Sequence, residues 1–163
     1  MSRLPVAPRI LLIVAFFAVL VIASVMFGLL LLTPTRLDLS AAGWIEWQQE
    51  AIPWNRVLIG AAFVVSLASL IAAAVLLRRR GSPASRWLFL VAALLLAALA
   101  ISLIGERPLN EEIEDWSVER PPSDWEDVRS EWEALHAIRA AAAAAALAVL
   151  YFAVPLSAAR TTR

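Results

Sequence analysis

Four long apolar runs divide the chain into five polar segments. The runs cover about residues 10–32, 57–77, 87–104 and 138–156. The first is 23 residues without a charge; at about 1.5 Å per residue it exceeds the roughly 30 Å hydrocarbon core of a bilayer. Arg3 and Arg9 precede it, as in a signal peptide. But signal h-regions are only about 7–15 residues long, and no small-residue cleavage site closes this run, so it is expected to stay as an anchor. Gly81-Ser82-Pro83 makes a tight turn between the second and third runs, which predicts an antiparallel hairpin. Ala140 to Ala146 are seven consecutive alanines in the fourth run. Alanine forms helix well but is only mildly apolar, so this span is expected to be surrounded by its neighbours. The predicted fold class is all-α: a single-domain transmembrane four-helix bundle with short helices in its outer loops.

The polar segments that form the outer cap, 33–56 and 105–137, carry patterns of their own. Ser40 is placed to cap a short helix with Trp44, Trp47 and Ala51 on one face, ended by Pro53. Residues 109–116 predict another short helix, broken by Arg120-Pro121-Pro122. Ser123 with Glu126 has capping-box spacing and predicts one continuous helix running from there into the fourth span. That helix carries Trp125, Arg129, Trp132, His136, Arg139 and Ala143 at spacings of 4, 3, 4, 3 and 4, a single stripe. Small residues also recur at four-residue spacing (Ser24 and Gly28, Ala62 and Ser66, Ala93 and Ala97, Ala140 and Ala144), which permits close helix approach.

Charge fixes the expected orientation. All fourteen acids lie in the second and fourth polar segments. The first, third and fifth hold Arg3, Arg9, Arg78, Arg79, Arg80, Arg86, Arg160 and Arg163 and no acid. Short basic loops stay in the cytoplasm. Both termini and the 78–86 loop are therefore expected to be cytoplasmic, with the acidic segments outside a cell (inner) membrane. The Ala and Arg bias fits a bacterial coding sequence. Every basic residue is Arg and there is no Cys, which removes disulfides and thiolate chemistry. The spans hold no Asp, Glu, Lys or His, against a proton or ion pathway. The inventory shows no phosphate loop, catalytic triad or nucleic-acid module.

Two interpretations of the stripe stay open. Trp and Arg are ordinary anchors at a membrane interface, which explains the stripe as packing. Alternatively it walls a small cavity at the outer boundary, with His136 and Arg139 at its base. Glu133 with His136 has the i, i+3 spacing of di-iron bundles, but with one His a complete site would require a symmetric dimer, and no metal is expected. A Ca²⁺ site at Glu111, Glu112, Glu114 and Asp115 is weighed against a solvated acidic face, which is preferred.

The residues Pro108-Leu109-Asn110, Trp116, Pro122-Ser123-Asp124-Trp125, Arg129, Trp132, His136 and Arg139 resemble the small four-span membrane proteins related to anthrone oxygenases. The resemblance is specific over about residues 105–145 and extends loosely to Trp47-Gln48-Gln49. It implies a four-helix bundle and a cofactor-free oxygenation of a polycyclic phenol, with Asn110, Trp132, His136 and Arg139 matching motif positions. On that basis His136 is a candidate general base and Arg139 or Arg129 a candidate anion stabiliser. Asn110, Trp125, Arg129, Trp132 and Trp47 are candidates for binding a small hydrophobic or aromatic ligand. The expected partners are the lipid bilayer and such a ligand, with no nucleic acid and a homo-oligomer left open. A structural role beside another membrane protein is the remaining alternative.

Overall fold

The computed structural model describes residues 6–153. Six α-helices run α1 (Val6–Leu31), α2 (Thr33–Leu37), α3 (Ala41–Arg79), α4 (Ala84–Ala100), α5 (Arg107–Glu114) and α6 (Trp125–Ala148). A π-helical turn, Ile101–Glu106, joins α4 to α5, and a second, Val149–Ala153, extends α6. No strand occurs among the described residues. The expected end of the fourth span at Pro155 and Leu156, and Arg3, Arg160 and Arg163, lie outside the described residues.

Among the described residues four helices are long and apolar enough to cross a membrane: Val6–Leu31, Ala41–Arg79, Ala84–Glu114 and Trp125–Phe152. Each buries a seam at alternating spacings of three and four. In α1 it is Leu12, Ala15, Val19, Ile22 and Met26; in α4 it is Ala84, Leu88, Val91, Leu95 and Ala98. In α3 the seam includes Phe63, Ser66, Leu70, Ala73 and Leu77, and in α6 Trp132, His136, Arg139, Ala143 and Ala146. That spacing interdigitates side chains along a left-handed bundle. α1 packs on α3 and α6, and α4 packs on the same two, so the bundle closes as a ring in the order α1, α3, α4, α6. Off the seam, large apolar side chains remain exposed, among them Phe17, Val64, Leu96 and Ile138. A helix apolar on both its inner and outer faces needs hydrocarbon around it. The protein is therefore a multi-pass membrane protein. Within that setting Ser66 bonds its hydroxyl to the Ala62 carbonyl at 2.7 Å, satisfying a buried polar group inside its own helix.

The α3–α4 hairpin forms as the sequence predicts. Gly81 has φ +69°, a conformation glycine adopts without steric cost. Its N–H bonds to the Arg78 carbonyl at 3.0 Å and that of Ser82 to the Leu77 carbonyl at 3.0 Å. These two bonds close the helix end as a Schellman motif.

Four local expectations change. Pro53 does not end the first outer helix: α3 runs unbroken through it, with Ser40 as cap accepting from Gly43 N–H at 3.3 Å. Pro53 forfeits one backbone bond, but the turns before it bury Trp44, Ile45, Gln48 and Ile52, and that packing outweighs the lost bond. Ser123 does not cap α6. Asp124 precedes the helix at φ −99°, ψ 10°, with no side-chain cap bond. Capping boxes need an extended residue there; here Glu126 and Asp127 in the first turn complement the helix dipole instead. The short helix expected at 109–116 is not separate from the third span, because α4, the π turn and α5 form one 31-residue rod. Finally, α6 is not enclosed by its neighbours: Ala140, Ala143 and Ala146 are buried, whereas Ala141, Ala144, Ala145 and Ala148 are exposed. Of the small-residue pairs, only Ala62 and Ser66 are both buried.

Candidate functional site

The cap has its own small core of Trp44, Ile45, Ile52, Ile113 and Trp132. It stands on the main bundle core, and polar side chains gather where the two layers meet. α6 supplies Trp132, His136 and Arg139. Ser102 and Glu106 come from the π turn, Asn110 from α5, Trp47 and Gln48 from α3, and Arg36 from α2. π turns recur at functional sites because the extra residue widens the backbone; here the Arg107 N–H bonds to Ser102, five residues back. Gly105 lets that turn lie against α6, since a Cβ there would meet Leu135 at 3.0 Å.

The innermost residues form a connected network. Trp132 Nε1 donates to Asn110 Oδ1 at 2.9 Å, and its ring stacks on His136 with centroids 5.0 Å apart and planes 3° from parallel. His136 is fully buried, with Nε2 3.0 Å from the Met26 carbonyl. A carbonyl only accepts, so Nε2 carries the proton, and Nδ1 of the neutral ring accepts from Arg139 Nη2 at 3.1 Å. Arg139 Nη1 donates to Ser102 Oγ at 2.9 Å and pairs with Glu106 Oε2. A guanidinium at this depth requires such a partner. Among the acids the sequence offers nearby, Glu46 and Glu50 are exposed while Glu106 is 1% exposed.

A second buried ion pair lies above the first. Arg36, 2% exposed, reaches Glu133 Oε2 at 2.9 Å and the Leu29 carbonyl at 3.0 Å. Its guanidinium sits 4.9 Å from the Trp47 ring centre and 5.2 Å from that of Trp132, a cation between two π faces. Burial lowers its pKa from the ordinary guanidinium range, and the Glu133 charge opposes that shift. Glu133 is thus engaged by Arg36 and by Thr33, whose hydroxyl donates to it at 3.2 Å, and it does not turn toward His136. Among the described residues no three His, Asp or Glu converge as a metal site.

Beside this network lies a cavity of about 360 Å³, within the size range of small-molecule pockets. Met26, Phe63 and Leu99 give it apolar walls; Trp47 and Trp132 add aromatic surface, and Gln48, Glu106, Asn110 and Arg139 bring polar groups to it. Of the candidates named from the sequence, Trp47, Asn110, Trp132 and Arg139 line this space together. His136 lies behind Trp132 and Arg139 and is not part of the lining. Trp125 and Arg129 sit higher in the cap: Trp125 packs 6.2 Å from Trp44, and Arg129 stacks 4.5 Å over Trp125 while donating to the Leu37 carbonyl at 3.3 Å. Of the acidic cluster on α5, Glu111 pairs with Arg107 and Glu114 with Arg56.

The sequence pattern did not single out Arg36, and it touched Gln48 only through the loose resemblance at Trp47-Gln48-Gln49. Gln48 is a polar residue among apolar neighbours on the buried face of α3, and Arg36 is one of the few charges beside a span end. Those were the available signals.

The network residues Glu106, Asn110, Trp132, His136 and Arg139 all fall inside the segment, residues 54–149, that matches the anthrone oxygenase family. Arg36, Trp47 and Gln48 fall outside it. No curated protein and no solved structure matches the chain. The family match spans more than half of the sequence and most of the bundle, including the buried Glu106–Arg139–His136 chain; the protein belongs to the anthrone oxygenase family.

Proposed function

We propose that the protein takes a flat, apolar small molecule from the membrane into the cavity beneath the cap and engages its polar edge there. One observation carries this: a 360 Å³ space with two indoles in its lining and a buried Glu106–Arg139 ion pair in its wall. Apolar and indole walls suit a flat ligand, while the ion pair rewards a ligand with an acidic or polar edge. Anchoring at the interface needs only the Trp residues; it does not need a buried charge network closing one side of a cavity. We also propose the orientation, with the acidic cap outside and the Arg78–Arg80 loop cytoplasmic, from the sorting of acids to one side.

Membership of the family favours a second, more specific activity, a cofactor-free oxygenation. An anthrone-type ligand carries an acidic CH₂ beside its aromatic rings. Loss of one proton leaves the electron pair on the ligand as an enolate, which dioxygen oxidises; the net change turns CH₂ and O₂ into C=O and water. The protein's contribution is a proton acceptor, a cation to stabilise the enolate oxygen and a dry slot. Arg139 fits the second role and the aromatic walls the third.

The test is titration of the detergent-solubilised protein with anthrone, following Trp fluorescence, and then assay for anthraquinone under air. Saturable quenching is expected. Gly60→Leu should abolish it without unfolding the protein, because Gly60 lines the cavity and its Cβ direction is open. Absence of saturable quenching in the unaltered protein would sink the binding proposal. Quenching without anthraquinone would sink the oxygenation alone.

A further inference from the structure

Three polar groups lining the cavity have buried atoms with no partner: Gln48 Nε2, Glu106 Oε1 and Arg139 Nε. Gln48 is 1% exposed and its Nε2 makes no hydrogen bond. Glu106 is equally buried; Oε2 meets Arg139, but Oε1 has no hydrogen bond, and the nearest ring nitrogen, His136 Nδ1, is 3.8 Å away. A buried polar atom left unpaired costs about 1–3 kcal/mol, and folded proteins carry few of them. Here two unpaired donors and one acceptor belong to residues lining the same cavity, and of the two donors Gln48 belongs to a neutral group engaged by no other side chain, whereas Arg139 is already held by Glu106, Ser102 and His136.

We infer that Gln48 and Glu106 together recognise the ligand's polar edge, Glu106 Oε1 as acceptor and Gln48 Nε2 as donor. The inference rests on the ligand cavity proposed above and defines the ligand further: a flat apolar molecule with an acidic O–H or C–H conjugated to a carbonyl. Glu106 Oε1 accepts the acidic proton. The O–H or C–H bond breaks, its electron pair stays on the ligand as an enolate, and the proton ends on the carboxylate. Gln48 Nε2 donates to the ligand oxygen on which the negative charge gathers. His136 is not free for the acceptor role, because Nε2 donates to the Met26 carbonyl and Nδ1 already accepts a hydrogen bond from Arg139. It acts as a positioning residue: it fixes the Arg139 guanidinium, which in turn holds Glu106 Oε2 and leaves Oε1 toward the ligand. Gln48 lies outside residues 54–149, the segment matched to the family.

Anaerobic exchange of the CH₂ protons of anthrone in deuterated water, followed by NMR, reads the proton transfer without oxidation. The unaltered protein should accelerate the exchange. Glu106→Gln should lower that acceleration by about 10²-fold or more while anthrone still quenches Trp fluorescence. Gln48→Met should weaken anthrone binding about three- to tenfold, leave binding of anthracene, which has no oxygen, unchanged, and not lower the melting temperature. A folded Glu106→Gln protein that exchanges at the original rate would overturn the inference. So would Gln48→Met that binds anthrone undiminished, or that loses anthracene equally, since the effect would then be one of shape. If Glu106→Gln does not fold, the anthrone–anthracene split of Gln48→Met decides. An unaltered protein that binds neither probe removes the cavity proposal as well; one that binds both, with the variants indifferent, removes only this pairing.

Discussion

At the scale of the residue, the cap end of the molecule depends on charges removed from water. Arg36 and Glu133 are 97 positions apart in sequence, yet their side chains are only 3% and 13% exposed. An ion pair so placed is not by itself a strong source of stability, because desolvation offsets the attraction. Breaking it is another matter, since the surviving charge stays buried without a partner. Arg36→Met should therefore cost about 3–5 kcal/mol, whereas Arg36→Met with Glu133→Leu should recover most of that loss. Thermal unfolding of the three proteins in one detergent checks this, and equal melting temperatures for the single variant and the original would refute it. Sequence pattern gave little warning of this pair. Trp132, His136 and Arg139 were legible as one helix face. The partner of each, Asn110, Met26 and Glu106, comes from another helix, and the local pattern of α6 carries no information about it.

At the scale of the element, two helix ends show how much local chemistry decides. Ser40 and Gly81 act as their residue types predict, one accepting from the N–H of Gly43, the third residue of α3, the other adopting a left-handed φ to close α3. A side chain at Gly81 has open space around it, so any penalty there is conformational alone. Gly81→Ala should destabilise the hairpin by about 1–2 kcal/mol, and Gly81→Asn by less, because Asn tolerates that region better. Denaturation of the two variants side by side tests the order; equal losses would argue against a backbone origin. Pro53 and Ser123 show the opposite case. Both are strong local signals, for a stop and for a cap, and packing overrides both: burial of the Trp44–Ile52 face carries α3 through Pro53, and the turn at Pro122–Asp124 starts α6 at Trp125 without the Ser123 side chain.

At the scale of the whole molecule, four spans enclose an apolar core and the acidic cap closes one end. The proposed topology gives a direct expectation. A reporter inserted at Ser82 should read cytoplasm and one at Pro121 should read the outside, because three adjacent arginines flank the first site and no basic loop of that density flanks the second. Both reporters on the reversed sides would refute the orientation and leave the bundle intact. What the sequence alone determined is the set of features written along the chain at short range: four spans from hydropathy, the hairpin from Gly81, the segregation of acids, the one-sided stripe on α6, and the family from residues near 105–145. These follow from helical periodicity and from the cost of placing charge in hydrocarbon, both of which act on neighbouring residues. Only the tertiary structure decided that α3 and the α4–α5 rod continue past the bundle core into the cap. It also placed Arg36 between Trp47 and Trp132, shielded His136 behind Arg139, and set Gln48 and Glu106 on one cavity. Those outcomes depend on how helices distant in sequence meet, and the vacancy of a buried donor or acceptor exists only once every other partner has been placed.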